Sequence, residues 1–362
     1  MVGGRISKLL GECVEQFALD LGGLVVLTEA ASGHYLYTPL LAALAGSQKV
    51  YAVAADSRFG SKEEVGRRTA DAAAELGVAD RVEVIYDKTE EAVAASDIIT
   101  NTGSVRPIDR KTVSMMKPTA VVPLMWETWE FREGEVDLDA CRERGILVMG
   151  TDESGAPLDM YPYGGYLAMK LLFEMGLEGH QTRTLLLGGG EALGRSIDGH
   201  FRRLRMQVDW FSDLSASAPY DQLPGHFARH GATYDAIILA EHSNPILLLG
   251  EGGLLGFDEI RRANPAVCVG VIAGNLDREG LEASGLTFFP RKIEPFGYMS
   301  YQAYHLGPRP VLGLYAAGLK AGQVMARARR SGASVEEAAA FALKNSPAMD
   351  FEGDRAWLKA GG

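Results

Sequence analysis

The chain is poor in the features that several protein classes require. Its 362 residues hold three cysteines, Cys13, Cys141 and Cys268, too far apart for a CxxC or metal-ligand spacing. That usage fits a reducing, cytoplasmic setting, and no metal site is expected. No apolar run approaches the ~18 residues of a membrane span, and residues 1–16 lack the apolar centre of a signal peptide. The net charge of −11 leaves no basic stripe for nucleic acid. Arg202-Arg203-Leu204-Arg205 reads as the solvated face of a helix. There is no G-x-S-x-G elbow of a serine hydrolase, and no internal repeat.

What is present is an ordinary globular composition, 47% hydrophobic and 23% charged. The length favours two domains. Segments 24–28, 49–54, 81–86, 98–100, 120–124 and 146–149 read as strands, with helices at 38–45, 62–76 and 89–95. This alternation predicts a parallel sheet covered on both faces. Ligands of such sheets lie beyond the carboxyl ends of the strands, which directs attention to 29–35, 56–58, 101–104, 126–130 and 151–153. Segment 166–175 is apolar with polar breaks at helical spacing and reads as a helix linking the domains. A second series follows, with strands at 184–187, 207–211, 236–240, 267–272 and 287–289. Helices at 311–330 and 335–343 close the chain.

The second series opens with Leu185-Leu186-Leu187-Gly188-Gly189-Gly190-Glu191-Ala192-Leu193-Gly194-Arg195. A buried strand that ends in glycines and runs into a helix cradles a phosphate on backbone amides. The spacing is Gly188-x-Gly190-x-x-x-Gly194, with Leu193 where the third glycine of G-x-G-x-x-G falls. The alternative is a tight strand-to-helix turn without a ligand. Asp213 closes the next strand, 19 positions after Gly194. A carboxylate there accepts hydrogen bonds from the adenosine ribose and repels a 2′-phosphate, favouring NAD over NADP. Ser212, with Arg202, Arg203 and Arg205, keeps NADP open, and a solvated loop aspartate is the other reading.

Residues 135–148, Glu-Val-Asp-Leu-Asp-Ala-Cys-Arg-Glu-Arg-Gly-Ile-Leu-Val, resemble a segment of the formate/glycerate dehydrogenase-like superfamily. That group contains the D-2-hydroxyacid dehydrogenases, with alanine dehydrogenase and S-adenosylhomocysteine hydrolase as more distant relatives. Residues 234–242, Asn264-Pro265 and 277–281 resemble later elements of the same group, and the likeness runs from about Asp97 to Gly318. The resemblance implies two Rossmann-like α/β domains, each a doubly wound parallel sheet, with a cleft between them. Residues 1–158 and 310–362 would form the substrate domain, and 159–309 the NAD(P)-binding domain. It also implies a homodimer, a small-molecule substrate and a hydride-transfer enzyme. Gly188, Gly190, Glu191, Ala192, Leu193, Gly194, Asp213, His242 and Asn275 are the expected cofactor residues.

The catalytic pattern departs from that group. An arginine that would grip a substrate carboxylate in two-pronged fashion is replaced by Asn275, which cannot do so. The group's acid pair, a glutamate orienting a histidine, has a loose echo in Glu294-Pro295 and His305; an imidazole with the ordinary pKa of ~6.5 suits proton exchange with a carbonyl. Bracing of a domain boundary is the alternative for His305. In the first domain His34, Glu127 and Asn101 follow strand ends, and Trp126 and Trp129 set acids among aromatics. Arg58 or Arg106 would replace the missing arginine as a cation, and Tyr298 lies near the expected hinge. The reaction expected is hydride transfer between NAD(P) and a small polar carbonyl, hydroxy, imine or amine compound. Two alternatives remain: tightly bound NAD as an internal oxidant for elimination or hydrolysis, and a catalytically silent dinucleotide binder.

Overall fold

A computed structural model describes residues 2–214 and 216–358. The chain divides into two compact units, Met1–Asp159 with Gly307–Gly362, and Met160–Leu306. The strands in chain order are β1 (Val25–Glu29), β2 (Lys49–Val53), β3 (Val82–Ile85), β4 (Ile98–Ile99), β5 (Val121–Pro123), β6 (Leu147–Thr151), β7 (Arg183–Leu187), β8 (Gln207–Phe211), β9 (Ala236–Ala240), β10 (Leu247–Leu249), β11 (Cys268–Ala273), β12 (Asn275–Leu276), β13 (Thr287–Phe289) and β14 (Ala348–Met349).

In the first unit the sheet order is β14-β6-β5-β4-β1-β2-β3, parallel throughout except for β14 against β6. The chain moves outward from β1 to β3, then returns to β4 on the other side of β1. The central strands β4, β5 and β6 are buried along their whole length, as expected of strands covered on both faces. Helix Pro308–Arg330 brings the end of the chain back onto β5 and β6.

In the second unit the order is β13-β11-β9-β7-β8, again all parallel, with a small side pair β10-β12. Its strands feed two cores at period two. Leu185, Leu187, Ile237 and Leu239 pack on one face beneath Leu223 and Phe227. Leu186, Ile238, Val208 and Trp210 pack on the other beneath Leu171, Ile197 and Phe201. Each fully buried Leu or Ile contributes roughly 1.5–3 kcal/mol relative to exposure.

Several boundaries differ from expectation. Strand β1 starts at Val25 and runs through Glu29, so Glu29 belongs to the sheet and not to the loop after it. The last long helix begins at Pro308, because proline at a first helical turn surrenders no intrahelical bond. The helix expected at 166–175 spans Pro162–Glu174, one turn earlier at its start, which places Tyr163 on it. Residues 135–148, which carried the resemblance, form a capped helix leading into β6. Asp137 accepts from the Ala140 amide at 2.8 Å, and Gly145 ends the helix in the left-handed region. Among the described residues, no helix is long and apolar enough to cross a membrane.

Candidate functional site

The glycine turn lies at the topological switch point of the second unit, because β8 and β9 flank β7 on opposite sides. Gly188, Gly189 and Gly190 all have positive φ, at 84°, 93° and 54°. A Cβ on Gly188 would stand 2.4 Å from Cβ of Glu241. The irregular spacing has a structural resolution, since Gly190–Gly194 is a single π turn. The Gly194 amide donates to the Gly189 carbonyl, five residues back, at 2.6 Å. A π turn holds one residue more than an α turn. The extra residue is absorbed, and Gly194 reaches the close-packing position, where a Cβ would stand 2.6 Å from the Gly188 oxygen and 2.8 Å from Trp210. Trp210 Nε1 donates to that same Gly188 oxygen at 2.8 Å. At Gly190, by contrast, a Cβ would meet nothing within 4 Å among the described residues beyond its chain neighbours. The turn is therefore rigid on its protein side and open at Gly190, the fit that a phosphate-bearing ligand needs. Ala192 and Leu193 share the π turn, whereas the side chain of Glu191 lies outside the described residues.

Asp213 is exposed just past β8 and accepts from Asn244 Nδ2 at 3.3 Å. His242 follows β9, with Nδ1 3.4 Å from the Ala240 carbonyl. Between Ala240 and His242 the sequence reading missed Glu241, which is 1% exposed and directly against the glycine turn. Asn275 donates its amide to the Pro245 carbonyl at 2.7 Å. This amide ties the start of β12 to the loop after β9. Asn275 and Glu294 do come together, lining one cavity of ≈ 200 Å³ with Gly274, Arg278 and Pro295. Glu294 also pairs with Lys292. His305 sits between Tyr301 and Tyr304, at ring distances of 4.2 and 4.1 Å, with Nδ1 2.9 Å from the Gln302 carbonyl. Tyr298 is exposed.

The remaining candidates lie in the first unit. Arg58 is exposed and covers the Phe59 ring. His34, half-buried on a short helical turn after β1, has its pKa lowered by burial. Glu127 is buried and accepts from Trp129 Nε1 at 2.5 Å and from the Glu153 amide at 3.2 Å, so it braces the ends of β5 and β6. Around it, burial raises Glu130 to about 7, and it raises Glu153 as well, with neighbouring carboxylates adding to both. Asn101, fully buried after β4, accepts from the Met125 amide at 2.9 Å, while its Nδ2 is buried without a partner.

Asn101 shares the switch point of this sheet, between β1 and β4, with a group that sequence reasoning did not single out. Glu29 ends β1 at 6% exposure and accepts from the Tyr315 hydroxyl at 3.0 Å. Burial pushes its carboxyl up to about 7, against the opposing pull of Tyr315 and Arg106. Arg106 itself lies over Trp126 and pairs with Glu135. Thr100 donates to Thr28 at 2.9 Å and lies 2.8 Å from the Thr102 hydroxyl. Tyr315 comes from the far end of the chain, so spacing could not have revealed this pair. The only local signal was an acid at a strand end. Gly103 leaves room for the carboxyl, since a Cβ there would stand 2.0 Å from Glu29 Oε2. Gly103→Ala is expected to lower stability by about 1–3 kcal/mol, read by urea denaturation; an unchanged midpoint would mean that the carboxyl swings away freely.

No family model matches the sequence, and no curated protein matches it. Among solved structures, a dipicolinate synthase subunit from Bacillus halodurans is 13% identical, with 82% of this chain aligned to 96% of that one at a TM-score of 0.50. An NADPH-dependent glyoxylate/hydroxypyruvate reductase from Sinorhizobium meliloti is 12% identical over 86% and 96% of the two chains, at a TM-score of 0.46. An NAD-dependent formate dehydrogenase from Staphylococcus aureus is 14% identical over 75% and 93%, at 0.41. At 13% identity, what the first of these shares with this chain is the fold. The chain has the α/β fold seen in the dipicolinate synthase protein, here built as two units on doubly wound parallel sheets.

Proposed function

We propose that this chain is an NAD(P)-dependent oxidoreductase acting on a small polar carbonyl, hydroxy, imine or amine compound. The observation that carries the reading is the glycine turn at the switch point of the second unit, closed by protein on one side and open at Gly190. A bound nicotinamide dinucleotide would supply the acceptor or donor of a hydride. Gly188, Gly190 and Gly194 would shape the backbone that meets the pyrophosphate, and Asp213 would accept from the ribose hydroxyls, favouring NAD over NADP. The first unit would take the substrate at the carboxyl ends of β1 and β4. There Glu29 holds a proton near neutral pH beside Tyr315, and Asn101 offers a buried amide donor. His305 and Glu294 remain the candidate acid pair of the second unit.

Titration with NAD, NADP and adenosine, followed by thermal unfolding, tests the cofactor assignment. NAD should raise the midpoint most, and Asp213→Ala should narrow its advantage over NADP. No response to either dinucleotide would overturn the proposal. A panel of 2-oxo acids with NADH, with and without ammonium, then tests turnover. The amide of Asn275, committed to Pro245, favours a second reading in which the dinucleotide is used without net redox change or is bound without turnover. Accumulation of NADH during turnover would rule that second reading out.

A further inference from the structure

The loops that follow β8 and β9 are joined through one carboxyl group. Glu241 Oε1 accepts from the Ser243 amide at 3.1 Å, the Ser243 hydroxyl at 3.1 Å and the Asn244 amide at 3.0 Å. Its Oε2 accepts from the Tyr220 hydroxyl at 2.5 Å. Tyr220 arrives on the chain that follows β8, and burial, with Glu241 second, pushes its phenol far above the ordinary range, so it stays a donor. The loop 241–244 is thereby held by every polar atom of the Glu241 side chain. Asn244 is fixed in turn. Its Oδ1 accepts from the Ile246 amide at 3.1 Å, which leaves Nδ2 aimed at Asp213 Oδ2, 3.3 Å away.

We infer that Asn244, oriented by Glu241, is a positioning residue for dinucleotide specificity: it fixes the Asp213 carboxylate to receive a ribose diol and to oppose a 2′-phosphate. The inference rests on the dinucleotide reading of the glycine turn. Its physical basis is preorganisation. An exposed aspartate samples several rotamers, and holding it in the binding rotamer removes an ordering cost that NAD would otherwise meet. A 2′-phosphate gains nothing from the same restraint, because a fixed carboxylate repels it more effectively than a mobile one. Ser212 contributes to the same order, since its hydroxyl lies 2.6 Å from Ser217 and accepts from the Leu214 amide at 3.1 Å.

The test is a double-mutant cycle on the full chain, read as dissociation constants for NAD and NADP. Glu241 packs against the glycine turn and accepts four hydrogen bonds, so its replacement should disturb the fold, and Asn244→Ala is the informative variant, with Asp213→Ala as the second edge. Asn244→Ala should weaken NAD about fivefold to tenfold, as expected when one more side chain must be ordered on binding, and should change NADP far less. Its ratio of NAD to NADP affinity should fall, which loss of the Ile246 bond by itself would not produce. Combined with Asp213→Ala it should weaken NAD no further than Asp213→Ala alone. Additive losses, or equal losses for the two dinucleotides, would overturn the inference and leave the cofactor reading intact. A parent chain that binds neither dinucleotide would overturn the cofactor reading and this inference with it.

Discussion

Gly188→Ala is expected to lower the stability of the chain by at least about 3 kcal/mol and to abolish any dinucleotide response. Two effects add at this position. The backbone sits at φ 84°, where a side chain costs roughly 1–2 kcal/mol. The new methyl group would also stand 2.4 Å from Cβ of Glu241, 2.6 Å from its Cα and 2.8 Å from its backbone nitrogen. None of those atoms is the flexible end of a side chain. The movable element is therefore the whole β9 terminus, with the loop that carries His242 and Asn244. Gly190→Ala is the control. It occupies the same turn at φ 54°, but its methyl group meets nothing within 4 Å. Its cost should stay at about 1–2 kcal/mol, the left-handed penalty alone. Urea denaturation of the two variants side by side checks the contrast, and similar losses for both would show that steric contact with Glu241 is not what requires glycine at 188.

The second large effect concerns pH. Glu29 is raised from 4.5 to about 7, first by burial, so between these values the folded chain keeps a proton that the unfolded chain releases. Stability therefore falls as pH rises from about 4.5 to about 7, and the full penalty, on the order of 3 kcal/mol, persists above that range. Glutamine keeps the oxygen that accepts from Tyr315 and carries no titrating group. Glu29→Gln should thus be more stable than the parent chain at pH 8 and nearly equal to it at pH 5, with the difference growing by about 2 kcal/mol across the range. Chemical denaturation at the two pH values measures this directly. Glu130 and Glu153 titrate equally in both chains and cancel from the comparison. A difference that does not change with pH would place the Glu29 carboxyl in its ordinary range and remove it as a proton holder. The stabilisation should come with lost turnover in any reaction that needs that proton, because sites for proton transfer retain groups the fold alone would discard.

Much of this molecule is written in local sequence. The alternation of apolar runs with amphipathic helices specifies parallel sheets, since strands covered on both faces must be apolar throughout and the connections must be long enough to cross over. Leu185 to Leu187 followed by three glycines marked the strand that ends in a tight glycine turn, because both the apolar strand and the permissive backbone are properties of consecutive residues. Capping signals such as Asp137 and Gly145 were equally local. The irregular Gly190-x-x-x-Gly194 spacing was visible in the sequence, but its meaning was not. Only the backbone, by adopting a π turn, made Gly194 equivalent to a glycine one position earlier.

Tertiary structure alone decided which polar groups meet. Glu29 and Tyr315 are 286 residues apart, and their hydrogen bond exists because the final long helix returns to the first unit. Glu241 had no role in the sequence beyond its place in segment 234–242, and the fold sets it against Gly188 and gives it Tyr220, Ser243 and Asn244 as donors. Asn275 looked like a lost arginine, whereas the fold gives its amide the carbonyl of Pro245. Periodicity records which face of an element is buried, and it does so within a few residues. The partner of a buried polar atom depends on how distant elements pack, and that information is spread over the whole chain.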